Sequence, residues 1–150
     1  MALKTLVENP SPFIKQVIAF IEGMTKQNRG FALALLVPSE ASQSDRWNLV
    51  LSAPWIDHAG LAATIPTVTD VLLQHLSRGN SKKLERISVL PTTDPLVDRV
   101  AGLGPVPLGK AYRVQYFPLF SGDLGEAIVL VAERPRAMHN YNVQSVRTRA

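Results

Sequence analysis

The sequence predicts an α+β fold: one domain in which an antiparallel sheet of about five strands carries packed helices. Three observations predict it. Apolar residues recur at helical period over 13–24 and again over 61–76. Five short apolar runs, 31–37, 46–53, 84–90, 111–119 and 126–133, have strand length and are separated by breaks rich in proline, glycine and aspartate. The 150 residues are one domain's worth, and 46% hydrophobic against 19% charged is the composition of a chain with a core.

The first helix begins after Asn9-Pro10-Ser11-Pro12. Ser11 suits the cap and Pro12 the first helical position, where no N–H is missed. Phe13, Val17, Phe20, Ile21 and Met24 form its apolar stripe, widened by Ile14 and Ile18. Asn28-Arg29-Gly30 ends it, with Gly30 expected in the left-handed region.

Residues 31–37 form the first strand, with Phe31, Leu33, Leu35 and Val37 on one face and Ala32, Ala34 and Leu36 on the other. Two apolar faces mark a central strand. A polar loop over 38–45 leads to the second strand, 46–53, and a connection that short predicts an antiparallel hairpin. Asp57 is expected to cap a second helix running to Ser77, kinked or split at Pro66 and stopped by Gly79-Asn80.

The third strand covers 84–90. Asp94-Pro95 repeats the cap-then-proline signal, opening a short helix over 96–103. A loop with Pro105 and Pro107 leads to the last two strands, and Ser121-Gly122-Asp123-Leu124-Gly125 turns the chain between them. The order is therefore α-β-β-α-β-α-β-β. It is similar to that of the profilin-like group of folds, which includes roadblock-type, longin, PAS and GAF domains, a resemblance resting on element order alone. It implies a scaffolding, sensing or ligand-binding role, and helices over one sheet face with the other left for a second subunit or a partner.

Charge divides the chain at residue 133. Residues 1–133 hold 12 basic and 12 acidic residues, while 134–150 hold Arg134, Arg136, Arg147 and Arg149 and no acid, so the net +4 belongs to the tail. A neutral body argues against a basic nucleic-acid-binding domain, and at most weak, salt-sensitive binding is expected through the tail. The domain is therefore read as 1–133, with 134–150 a flexible appendage. The absence of cysteine excludes disulfides, thiol catalysis and zinc–cysteine sites, and suits a cytoplasmic protein. Residues 1–10 lack the apolar run of a signal peptide. The longest apolar stretch, 31–38, falls well short of the roughly 20 residues that cross a bilayer, so no membrane partner is expected.

Chemistry-bearing motifs are sparse. Gly104-Pro105-Val106-Pro107-Leu108-Gly109-Lys110 matches the phosphate-loop spacing, but Ala111 stands where a hydroxyl would hold magnesium and two prolines remove N–H donors. A stiff connector is the better reading. His58, His75 and His139 form no metal-binding spacing. Asp57 with His58, and Asp94 with Asp98, are conceivable acid–base pairs, each more simply read as capping or helix-surface residues. No cofactor and no metal is implied.

Trp55 is expected either to lid the core or to anchor a partner. Tyr112, Tyr116 and Phe117, with Arg113 and Gln115 between them, form an aromatic-and-basic pattern that stacks bases in some proteins, although no RNA-binding signature accompanies it. The expectation is a non-catalytic interaction module, self-associating or binding another protein. Its candidate surface residues are Trp55, Asp57, His58, Tyr112, Tyr116, Arg134 and Arg136. The alternative is a small-ligand sensor with a pocket between the sheet and the second helix.

Overall fold

A computed structural model describes residues 3–39, 46–118 and 124–133. The elements are β1 (Leu3–Leu6), α1 (Pro12–Lys26), β2 (Leu33–Pro38), β3 (Trp47–Ser52), α2 (Pro54–Ala59), α3 (Leu61–His75), α4 (Arg78–Ser81), β4 (Leu84–Val89), α5 (Pro95–Ala101), β5 (Tyr112–Pro118) and β6 (Leu124–Ala132). The α+β class holds. Six strands form one sheet in the order β1-β5-β6-β2-β3-β4.

That sheet is mixed rather than purely antiparallel. Four neighbouring pairs are antiparallel, but β3 and β4 run parallel, with Leu49 opposite Ile87. The cause is the connection between them. α2, α3 and α4 carry the chain back to the end where β3 began, which is the crossover a parallel pair requires. The sixth strand is β1, whose four residues are exposed on both faces and so show no buried alternation to read.

Local signals set the beginnings of α1 and α5. Ser11 Oγ accepts from the Ile14 N–H at 3.3 Å, and Asp94 Oδ1 accepts from the Leu96 N–H at 2.9 Å. Helix ends follow them less closely. At the end of α1 the left-handed residue is Asn28, with φ 63°, and not Gly30. The second helical stretch breaks at Gly60, where φ is 101°, and α3 runs unbroken through Pro66 to His75. It ends before Gly79-Asn80, which belong to the separate single turn α4. Asp57 is not a helix cap, since Ala53 holds that position and Asp57 lies inside α2.

Alternation along the strands builds two cores, one on each side of the sheet. On one side Ala34, Leu36, Leu49, Leu51, Ile128 and Leu130 pack against the stripe of α1 and against Val68 and Leu72 of α3. On the other, Leu33, Leu35, Val50, Val114, Phe117 and Val129 pack against Leu96, Val97 and Val100 of α5 and against Val106. The central strands are therefore covered on both faces, and the second face needs no further subunit to bury it. Phe31 departs from the expected face. It precedes β2, so the strand alternation does not govern it, and it joins Phe20 and Trp55 on the α1 side.

Candidate functional site

One sheet face carries Arg113 of β5, Glu126 and Ile128 of β6, Pro38 of β2 and Trp47 of β3, beside the segment that enters α1. Two adjoining hollows lie here. One, of about 250 Å³, is lined by Pro38, Arg46, Trp47, Arg113 and residues 126–128. The other, of about 280 Å³, is lined by the segment leading into α1 (Val7, Asn9, Ser11, Phe13, Ile14), together with Trp47, Lys83, Arg113 and Ile128. Trp47, Arg113 and Ile128 line both, so the hollows form one cleft.

Strand register explains why these side chains meet. Arg113 pairs with Ile128, so the two share a sheet face, and Glu126 lies two residues along β6 on that same face. Trp47 pairs with Pro38 on β2 and with Leu84 on β4. The Trp47 N–H donates to the Lys83 carbonyl at 2.7 Å, which holds Lys83 at the cleft. Arg46 is engaged by Glu85, with Nε 3.0 Å from Oε1. Among the described residues, Arg113 makes no ion pair or hydrogen bond through its guanidinium. The described lining combines apolar side chains (Val7, Phe13, Ile14, Ile128) with the charged Arg46, Lys83, Arg113 and Glu126.

The described residues among the candidates singled out in the sequence lie elsewhere. Trp55, Asp57 and His58 share α2. The Trp55 indole N–H donates to the Gly30 carbonyl at 2.9 Å, its ring packs on Phe31, and the Arg29 guanidinium sits 5.7 Å from the ring centre. These contacts tie α2 to the α1–β2 turn. Asp57 accepts hydrogen bonds from the Thr92 N–H and hydroxyl, tying α2 to the β4–α5 loop. His58 is exposed on α2. His75 Nδ1 lies 3.0 Å from the Val71 carbonyl, and its ring packs edge-on against Phe20.

Tyr112 is half-buried, with the Lys4 ammonium 4.8 Å from its ring centre. Tyr116 is exposed at a β-bulge between Val114 and Phe117, with φ 57°, a backbone region that bulky residues seldom occupy. Base stacking on Tyr112 would first have to displace Lys4. The glycine–proline segment joins α5 to β5 and is pinned by paired hydrogen bonds between Val106 and Ala132, in keeping with a connector. Arg134, Arg136 and His139 lie outside the described residues.

Sequence reading missed Trp47, Lys83 and Glu126, and noticed Arg113 only as part of an aromatic pattern. Strand alternation predicts a face for each residue but not which strands are neighbours, and the cleft depends on β6 lying between β5 and β2. Among the described residues, no group of three or more metal-ligating side chains could hold an ion, and no helix is long and apolar enough to cross a membrane. The chain matches no protein-family profile, no curated protein and no solved structure.

Proposed function

We propose that this protein is a non-catalytic binding module whose working surface is the cleft at the N-terminal end of α1. The observation that carries this reading is the pair of hollows sharing Trp47, Arg113 and Ile128. Apolar side chains with a few charged groups among them are the usual lining of a small-molecule site, and only the two hollows taken together reach the size of one. Two of the four titratable residues that suggested acid–base chemistry are engaged structurally: Asp57 holds Thr92 and Asp94 caps α5. The absence of cysteine favours a reducing, cytoplasmic setting.

A survey of small fragments by protein-observed NMR tests this. Amide shifts clustered around Trp47, Arg113 and Ile128 are expected. Shifts confined to other surfaces, or none at all, would retire the reading.

A second reading, self-association through β1, is favoured by one observation. β1 is an edge strand, and its Leu3 and Leu6 are 49% and 42% exposed. Unpaired strand edges add strands from other chains. Sedimentation of the full chain is expected to show a dimer that Thr5→Pro dissociates, and a monomer at all concentrations removes this reading.

A further inference from the structure

We infer that β1 pairs antiparallel with β1 of a second copy of this chain, about a two-fold axis through Thr5, so that the two sheets join into one. This rests on the self-association reading and names the register in which the copies meet. Three observations carry it.

The first is the phase of the β1–β5 ladder. β1 is an edge strand, with Leu3 opposite Gln115 and Leu6 opposite Tyr112. One residue further along, the Val7 N–H donates to the Ala111 carbonyl at 2.9 Å. Antiparallel neighbours alternate between pairs that exchange hydrogen bonds and pairs that do not. Leu3, Thr5 and Val7 therefore turn their backbone groups toward β5, and Lys4 and Leu6 turn theirs to the open edge.

The second is the placing of the apolar side chains. Leu3 and Leu6 are both exposed, and strand alternation puts them on opposite faces. A helix or a lipid surface laid on the sheet covers one face only. An added strand shelters both and also pairs the open backbone groups.

The third is the charge that would guard this edge. A lysine on an edge strand commonly keeps other strands away. Lys4 is turned aside instead: its ammonium lies 4.8 Å from the centre of the Tyr112 ring and donates to the Leu103 carbonyl at 3.3 Å. At the opposite edge of the sheet, β4 exposes the charged Glu85 and Arg86.

The segment's fit to itself selects a second copy and fixes the register. Outward backbone groups must meet outward backbone groups. Lys4 opposite its own counterpart sets like charges together, which is unfavourable. Lys4 opposite Glu8 of the second copy extends the ladder to a residue where the chain bends. Lys4 opposite Leu6 keeps the pairing within the segment 3–7, places the lysine stem beside the leucine, and sets Thr5 facing Thr5.

Two measurements on the full chain test this. The first needs no substitution. Hydrogen exchange followed by NMR through a dilution series is expected to speed the Lys4 and Leu6 amides on the order of tenfold or more as dimer gives way to monomer. The Thr5 and Val7 amides, bonded to β5, are expected to change much less.

The second uses the absence of cysteine. Facing residues that exchange no hydrogen bond have Cα atoms about 4.5 Å apart, within the disulfide range of about 4.4–6.8 Å. Thr5 is exposed, so the fold tolerates its replacement. Thr5→Cys is expected to form a linked dimer on mild oxidation on the order of tenfold faster than Leu3→Cys, whose thiols this register holds roughly 13 Å apart along the strands. Equal crosslinking of the two variants, or Lys4 and Leu6 amides that ignore dilution, overturns the register, while loss of the dimer in Thr5→Pro keeps the self-association reading. A monomer at every concentration overturns both.

Discussion

The side chain of Asp57 on α2 accepts hydrogen bonds from both the backbone N–H and the hydroxyl of Thr92, 35 residues further along the chain. The contact fastens the start of the helical crossover to the loop that follows β4, so one carboxylate ties together the segments leaving the C-terminal ends of the parallel strands β3 and β4. Asp57→Ala leaves the half-buried Thr92 N–H without its acceptor and is expected to lower stability by about 1–3 kcal/mol. Thr92→Val removes only the hydroxyl partner. Denaturant titration of both single variants and the double should show coupling of about 1 kcal/mol. Strict additivity would mean that the hydroxyl bond contributes nothing.

Trp55 supplies a second tie, from α2 to the α1–β2 turn. Trp55→Phe keeps a ring against Phe31 but removes the donor to the Gly30 carbonyl. A loss of about 1 kcal/mol is expected by chemical denaturation. Binding at the Trp47 cleft should be unchanged, because Trp55 is not among the cleft's lining residues.

Ser52 offers the opposite sign. It is fully buried, and among the described residues its hydroxyl oxygen has no hydrogen-bond partner. An unsatisfied buried hydroxyl is destabilising, so Ser52→Ala should raise stability by about 1 kcal/mol. A lower thermal midpoint for this variant would contradict the account.

Pro66 lies inside α3, which stays helical around it. Proline there removes the hydrogen bond to the Ala62 carbonyl and crowds that carbonyl with its ring. Pro66→Ala is expected to stabilise the protein by about 2 kcal/mol, the helix-propensity gain less the entropy returned to the unfolded chain. Equilibrium unfolding by urea measures it.

Proline and glycine explain where local reasoning misplaced the second helical stretch. Proline is the stronger helix breaker by propensity, so the break is expected at Pro66. The burial of Val68 and Leu72 against the sheet holds α3 together across the proline, while Gly60, at φ 101°, supplies the turn a few residues earlier. At the end of α1, Asn28 takes the left-handed position, because asparagine tolerates it nearly as glycine does and the helix ends two residues before Gly30 can be used. The caps at Ser11 and Asp94 were legible because each depends on neighbours within three residues. The tie from Trp55 to Gly30 was not legible in the same way, since its acceptor is 25 residues away.

The amino-acid sequence by itself determined the α+β class, the places of α1, α5 and five of the six strands, and the two-sided burial of β2. All of these follow from periodicity and capping over short windows. Tertiary structure alone decided that β3 and β4 run parallel, that β1 joins the sheet through β5, and that Trp47, Arg113 and Ile128 face one cleft. The physical reason is that side-chain period assigns a residue to a face, whereas strand order and direction come from long connections, whose closure entropy changes little with length and therefore specifies little. The cleft arises from that order, which brings Arg113, Ile128 and Trp47 together beside the segment that enters α1.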